Sequence, residues 1–218
     1  EQLFIRDQAR NFLSQECSLA VVRSVLDTDT SFDRALWQKI VDLGWTAMTI
    51  PESYDGLGLG YLELCVIAEE LGRSLAPVPF SSSVYLATEA IKNWGTEQQK
   101  QHYLPKLAAG ELIGTLAMHE GLGAASVAAT VTESKVTASK LPVPDGDIAD
   151  FAVLTARAEN GDVQLYIAAL TDSGVQREVL TSMDPSRSQA RVTFDKVPVH
   201  ALGDSGAGEV ELAELLNR

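Results

Sequence analysis

Apolar residues recur every three or four positions through the first hundred or so residues, which is the spacing of amphipathic helices. In "SFDRALWQKIVDLGW" this spacing puts Leu36, Ile40 and Leu43 on one helix face, and the glycine that follows is a typical helix end. Similar spacing continues in "YLELCVIAEELGRS", "SSSVYLATEAIKNWG" and "GTEQQKQHYL". Thr96 opens the last of these, and Gln99 three residues later completes a capping box. The N-terminal part is therefore predicted to be all helical.

From about residue 113 the pattern changes to short β-branched or alternating segments, separated by Gly, Asp, Pro and Asn. These segments read "LIGTLAM", "SVAATVT", "FAVLTAR", "VQLYIAAL" and "ARVTFD". In the fourth, Val163, Leu165 and Ile167 share one face of a strand. Helical spacing returns after Gly208 in "EVELAELLNR".

The order of these elements predicts an α+β fold. An all-α domain over residues 1–112 precedes a β-barrel or sandwich-like domain over 113–206, and residues 207–218 begin a C-terminal helical domain. Because a helix that has barely begun is a poor end for a domain, we expect the protein to continue beyond Arg218.

Composition narrows the partners and the compartment. A formal charge of −13, with no run of Lys or Arg, argues against nucleic acid and anionic membrane surfaces as partners. No apolar run is long enough to span a membrane, and the N-terminus lacks a signal-peptide pattern. Cys17 and Cys65 lie in no zinc or redox motif, and although a disulfide between them stays open, so few thiols favour a reducing compartment. We therefore expect a cytoplasmic protein.

Isolated motifs point to no particular chemistry. The three histidines are scattered, so no metal site is predicted. His119 and Glu120 could form an acid–base pair, but adjacent residues on a regular strand point to opposite faces. Gly121 and Gly123 in "LAMHEGLGAAS" match no nucleotide-binding spacing, and a tight turn is the simpler interpretation.

Four longer pieces carry a family resemblance when they are taken in order. They are "WQKIVDLGWTAMTIPESYDGLGLG", "AEELGRSLAPVPF", "WGTEQQKQHYLPKLAAGELIGTLAM" and "ARVTFDKVPVHALGD". Together they resemble the acyl-CoA dehydrogenase family over essentially the whole chain. The resemblance implies the family's N-terminal helical and middle β domains. Its C-terminal four-helix domain would begin with "EVELAELLNR".

The resemblance implies an FAD-dependent oxidoreductase that introduces a double bond at the α,β position of an acyl-CoA thioester. In most members a glutamate of the C-terminal domain removes the α-proton while FAD accepts the β-hydrogen as hydride. That base lies beyond Arg218, so the catalytic residue is unknown from this sequence. The partners implied are the acyl-CoA substrate, electron-transfer flavoprotein and other acyl-CoA dehydrogenase subunits in a homo- or hetero-oligomer.

The same resemblance assigns candidate binding residues. The first flavin segment comprises Leu116, Met118, His119 and Ala125, where His119 and Ala125 replace the family's threonine and serine. The second comprises Pro142, Val143 and Pro144, and these prolines replace an aromatic residue and a hydroxyl residue. The acyl-CoA contacts would be Val84, Tyr85, Leu86 and Ser126, although ordinary helix packing is an equal explanation for the first three.

The departures from the motif leave three hypotheses. Proline has no N–H to donate, and Ala125 lacks a hydroxyl, so flavin binding is expected to be weakened. The chain is an acyl-CoA dehydrogenase that keeps FAD through backbone contacts, or the degenerate partner of a heteromeric dehydrogenase whose other subunit holds the flavin. A catalytically silent acyl-CoA-binding or assembly protein is the third hypothesis.

Overall fold

The computed structural model describes residues 2–28, 30–121, 127–204 and 208–217. Its α-helices are α1 (Gln2–Glu16), α2 (Leu19–Leu26), α3 (Arg34–Asp42), α4 (Tyr61–Arg73), α5 (Glu89–Trp94), α6 (Glu97–Ala108) and α7 (Glu209–Leu216). Short 3₁₀ turns lie at Trp45–Ala47 and Glu52–Tyr54, and a π-helical segment lies at Ser81–Thr88. The strands are β1 (Gly114–Ala117), β2 (Thr130–Thr132), β3 (Lys135–Pro144), β4 (Phe151–Arg157), β5 (Val163–Ala169), β6 (Val175–Val179) and β7 (Gln189–Ala201). The α+β order expected from the sequence is confirmed.

Helix α3 follows the expected apolar face with one exception. The Asp33 side chain accepts a hydrogen bond from the Leu36 N–H and caps the N-terminus, and Leu36 and Ile40 are buried. The helix ends at Asp42, so Leu43 lies outside it and is 48% exposed. The expectation that Leu43 shares the buried face is wrong, because the chain turns away at Gly44 with a φ of 74°.

The predicted capping box of α6 is present. Thr96 accepts from the Gln99 N–H at 3.1 Å, and the Gln99 side-chain oxygen accepts from the Thr96 N–H at 2.9 Å. Gln99 also donates to the Ala201 carbonyl at 2.7 Å and accepts from the Gly203 N–H at 3.0 Å. One glutamine therefore caps the helix and joins it to the end of β7.

The strands close into a barrel. The antiparallel pairs β4–β5, β5–β7, β7–β3 and β3–β2 form most of the ring, and the parallel pair Thr130–Arg157 links β2 back to β4. Strand β1 lies parallel beside β4, and β6 lies antiparallel beside β7. Strands β3 and β6 went unrecognised in the sequence because prolines interrupt the first and the second is polar and half exposed.

Helices and barrel share their apolar interior. In the larger cluster of the described residues, Phe80 of the helical part and Phe194 of β7 are both buried. In the smaller cluster, Ile91 of α5 packs with Leu165 of β5, and Leu215 of α7 joins them. The helical prediction after Gly208 is therefore confirmed, whereas the division into domains at 112/113 and 206/207 stays a prediction.

Candidate functional site

The two segments assigned to the flavin lie side by side. The Leu141 N–H donates to the His119 carbonyl at 2.8 Å, and the Gly121 N–H donates to the Leu141 carbonyl at 3.0 Å. Glu120 and Leu141 form a parallel β-bridge, so the segment that follows β1 lies beside β3. Residues 20 to 22 positions apart in sequence therefore form one edge.

A buried ion pair lies beneath this edge. The fully buried Lys140 ammonium donates to the Glu120 carboxylate at 2.6 Å, to the Thr155 hydroxyl at 3.0 Å and to the Met118 carbonyl at 3.4 Å. The Thr155 hydroxyl in turn donates to the Met118 carbonyl at 3.1 Å. Burial lowers the pKa of Lys140, although the contact with Glu120 opposes that effect.

Glu120 also reaches beyond Lys140. Its carboxylate accepts from the Ala128 N–H at 2.7 Å and the Ala129 N–H at 3.2 Å. Burial raises the pKa of Glu120, but hydrogen bonds from Lys140 and these two amides outweigh that effect and leave the pKa below its ordinary value. The carboxylate is therefore committed to the ion pair, and the acid–base alternative for the exposed His119 loses its partner.

The first flavin segment contributes little exposed side chain. Leu116 is buried in the smaller apolar cluster, Met118 packs against that cluster, and His119 is exposed. Ala125 and Ser126, assigned to the flavin and to acyl-CoA, lie outside the described residues.

The second flavin segment has polar backbone groups of Val143 and Pro144 occupied within the fold. Val143 is fully buried and pairs with Ala190 of β7. The Asp145 N–H donates to the Ser188 carbonyl at 3.0 Å, and alternation along an antiparallel ladder makes Val143–Ala190 a hydrogen-bonded pair as well. The Pro144 carbonyl accepts from the Thr115 hydroxyl at 2.5 Å.

These contacts test the fit of a flavin. Pro142 and Pro144 have no N–H, the N–H of Val143 belongs to the ladder with β7, and Lys140 is held by Glu120. Pro142 is exposed and offers a ring surface without a donor. The second segment therefore does not fit a flavin held by hydrogen-bond donors of this chain.

The residues assigned to the acyl chain lie on the π-helical segment and face different surroundings. Val84 is buried in the larger cluster. Tyr85 is half buried with its ring edge-on to Phe80 at 5.4 Å, and burial raises the pKa of its hydroxyl. Leu86 packs against the smaller cluster instead. Val84 and Tyr85 therefore contact the larger cluster and Leu86 contacts the smaller one, and the assignment of these three residues to the acyl chain stays a prediction.

Sequence reasoning missed the residues that hold this helical segment. The buried Ser82 hydroxyl donates to the Asp145 carboxylate at 2.5 Å, and the buried Ser83 hydroxyl accepts from the Gly114 N–H at 3.3 Å. Burial raises the pKa of Asp145, and the negative charge of Asp147 raises it further. The hydrogen bond from Ser82 and the positive charge of Arg187 lower this pKa and so oppose the effect of burial. Nothing in the local pattern of "SSSVYLATEA" indicates these partners, because they lie about thirty and sixty residues away.

The described residues offer neither a metal site nor a membrane-spanning helix. Among them no cluster of three or more His, Cys, Asp or Glu side chains could hold a metal ion. No helix in the described ranges is long and apolar enough to cross a membrane. Cys17 is buried and Cys65 is exposed, and both are free thiols.

Comparisons with known proteins give concordant matches. Residues 1–111 match the family model "Acyl-CoA dehydrogenase, N-terminal domain". The chain is 31% identical over 161 residues to acyl-CoA dehydrogenase FadE27 of Mycobacterium tuberculosis, covering 73% of this chain and 43% of that protein. It is 31% identical over 170 residues to mitochondrial isovaleryl-CoA dehydrogenase of Pongo abelii, covering 73% of this chain and 40% of that protein. The chain thus spans about two fifths of these relatives.

Solved structures share the fold. The ChsE4-ChsE5 complex from Mycobacterium tuberculosis matches with a TM-score of 0.87 and 26% identity, over 98% of this chain and 58% of that chain. A Tcur3481-Tcur3483 steroid ACAD variant matches with a TM-score of 0.86 and 26% identity, over 100% of this chain and 59% of that chain.

Proposed function

The chain belongs to the acyl-CoA dehydrogenase family, and from this premise we propose that the protein takes part in the FAD-dependent α,β-desaturation of an acyl-CoA thioester. The observation that carries the proposal is the junction of the two flavin segments, where Leu141 and His119 share a backbone hydrogen bond. The reaction removes a proton from the α carbon and a hydride from the β carbon. No described residue is assigned as the base.

In the first form of the proposal the protein holds its own FAD and passes electrons to electron-transfer flavoprotein. The donors would then come from His119 and from the part of the segment that includes Ala125 and Ser126, because the second segment offers none. Val84, Tyr85 and Leu86 would contact the acyl chain from the π-helical segment. A cytoplasmic location remains a prediction within this proposal.

In the second form the protein is a subunit whose partner supplies the flavin. The observation in its favour is the lack of available donors at Pro142, Val143 and Pro144. The similarity to the ChsE4-ChsE5 complex, an assembly of two proteins, agrees with this form.

The visible absorbance spectrum of the purified full-length protein separates the two forms. An oxidised-flavin spectrum at about one flavin per chain, bleached by an acyl-CoA, supports the first form. A colourless protein that stays colourless with added FAD, but copurifies with a flavin-containing dehydrogenase subunit, supports the second. Absence of flavin and of acyl-CoA oxidation in the protein and in every assembly it forms would overturn the proposed function.

Restoring a hydroxyl tests the assignment of the second segment. Pro144→Thr adds an O–H and an N–H at the assigned position, and each new hydrogen bond to FAD is expected to tighten binding about fivefold. Pro198→Thr on β7, where the exposed Pro198 pairs with Lys135, is the matched control and should leave FAD affinity unchanged. Titration with FAD followed by fluorescence quenching measures both. Equal affinity in the two variants would remove position 144 from the site.

A further inference from the structure

The π-helical segment is attached to the ends of two strands by neighbouring side chains. The Ser82 hydroxyl donates to Asp145, directly after β3, and the Ser83 hydroxyl accepts from the N–H of Gly114, the first residue of β1. Both hydroxyls are buried, so water does not compete for these bonds. The segment therefore has two anchors, one on each strand that leads into or ends a flavin segment.

The two strand ends are also joined to each other. Asp145 follows Pro144, whose carbonyl accepts from the Thr115 hydroxyl at 2.5 Å. Thr115 is buried and follows Gly114 in β1. A closed chain of contacts thus runs from the helical segment through Asp145 and Pro144 to β1, and back through Gly114 to the helical segment.

The π-helical segment and the strand ends are closely packed at these contacts. A Cβ atom at Gly114 would lie 2.5 Å from the Ala87 Cβ and 2.7 Å from the Phe151 ring, closer than van der Waals contact permits. Asp145 adopts a left-handed backbone conformation with a φ of 51°, which Asp tolerates better than most residues. Its N–H bonds the Ser188 carbonyl, and its carbonyl accepts from the Ala149 N–H at 2.9 Å. The backbone of Asp145 is therefore fixed by these hydrogen bonds, and its carboxylate accepts from the Ser82 hydroxyl at a fixed position.

From these contacts we propose that Asp145 is a positioning residue, which fixes the spacing between the π-helical segment and the ends of β1 and β3. The expected effect of Asp145 on turnover rests on the proposed function. The link between the π-helical segment and the strand ends rests on the contacts alone. Desaturation requires the α and β carbons to meet the reacting ring in one alignment, and small displacements reduce rates steeply. Asp145 acts through Ser82 and touches neither reactant.

Amide hydrogen exchange in the full-length protein, alone or in its native assembly, tests the link. Ser82→Ala removes the donor and is expected to speed exchange by about fivefold, the equivalent of one buried hydrogen bond, both in residues 84–90 and in residues 145–149. Asp145→Asn keeps an acceptor and tolerates the positive φ, so it should retain most of the protection. Exchange that rises in residues 84–90 alone would overturn the link.

Asp172 provides the matched control. It accepts a hydrogen bond from the Gly174 N–H at 2.8 Å, in the turn before β6, and is not among the groups that bear on Asp145. Asp172→Asn should leave exchange in residues 84–90 unchanged. Faster exchange there with this control would show that the effect does not depend on Asp145, and would overturn the proposal.

Turnover kinetics test the positioning role separately. Ser82→Ala is expected to lower kcat about tenfold with little change in KM. The single variant Asp145→Asn keeps an acceptor for Ser82 and should retain most of the wild-type kcat. Coupled exchange with an unchanged kcat would overturn the positioning role. Coupled exchange in a protein and assembly with no acyl-CoA oxidation would instead overturn the proposed function and leave the link standing.

Discussion

At the scale of single residues, the charged ammonium of Lys140 is buried in the barrel and donates to three oxygen atoms. Its ammonium contacts the Glu120 carboxylate, the Thr155 hydroxyl and the Met118 carbonyl. A buried cation is tolerated only when it is paired and hydrogen-bonded, because desolvation otherwise costs several kcal/mol. Lys140 therefore holds the turn that follows β1 against β3.

Removing Lys140 should be strongly destabilising. Lys140→Met leaves the Glu120 carboxylate in its site with only the Ala128 and Ala129 amides, and the free energy of unfolding is expected to fall by about 3 kcal/mol. Lys39→Met breaks the exposed pair with Glu16 and should cost less than about 1 kcal/mol. Urea unfolding measures both variants. Similar losses would show that burial adds nothing to the Lys140 pair.

Asp145 should make stability depend on pH in a defined direction. Burial raises its folded-state pKa above the unfolded value of 3.8, so between these values the folded protein binds more protons. The contribution of Asp145 to the free energy of unfolding therefore falls as pH rises through this window, with Arg187 and Asp147 as the charges that modulate it.

Denaturant unfolding of Asp145→Asn and wild type across acidic pH isolates this contribution. The stability of the variant minus that of wild type should increase with rising pH. Ser82→Ala removes a hydrogen bond that lowers the pKa of Asp145, so this variant should show a wider window than wild type. A difference that stays flat or decreases with pH contradicts the assignment.

The sequence predicted some of these residues and could not predict others. His119, Pro142 and Pro144 were selected because a family motif passes through their positions, and hydrogen bonds join the segments that contain them. The Glu120–Lys140 and Ser82–Asp145 pairs join side chains twenty and sixty-three residues apart. Such pairs depend on strand register and helix docking, which no local periodicity specifies.

At the scale of elements, β1 and the π-helical segment are closely packed where Gly114 faces Ala87. Gly114→Ala would place a methyl group 2.5 Å from the Ala87 Cβ, and the overpacking is expected to cost about 1–3 kcal/mol. Gly72→Ala in α4 meets nothing within 4 Å and should instead add about 0.5–1 kcal/mol through helix propensity. Thermal unfolding monitored by circular dichroism compares them. A neutral Gly114→Ala would show that the segment can move away freely.

Periodicity predicted the elements that carry a clean pattern. Helix α6 has its capping box, and β5 buries Leu165 and Ile167 as alternation requires. Strand β3 was missed because Pro142 and Pro144 read as breakers, although its register with β7 shifts between Lys140 and Val143 at that point. The π-helical segment was read as an ordinary helix because its apolar content is the same in either geometry.

At the scale of the whole molecule, the two apolar clusters join the helical part to the barrel. Phe80 shares a cluster with Phe194, and Ile91 shares one with Leu165. Because each cluster loses partners if either part unfolds, we expect one cooperative transition.

Coincidence of two probes tests this expectation. The tryptophans, Trp37, Trp45 and Trp94, all lie in the helical part, so their fluorescence reports that part, and Trp94 also reports its packing against the smaller cluster. Hydrogen exchange of β4 and β5 reports the barrel. Equal unfolding free energies from the two probes are expected, and a separate, earlier fluorescence transition would establish two independent units.

The ion pair beneath the edge formed by residues 119–121 and Leu141 has an evolutionary consequence. Because Lys140 and Glu120 hold the edge from below, its backbone course does not depend on the exposed side chains of His119 and Pro142. Substitutions at those exposed positions can change the surface of the edge without loss of the barrel. A lineage of such proteins can therefore change this edge in small steps, each of which still yields a folded product.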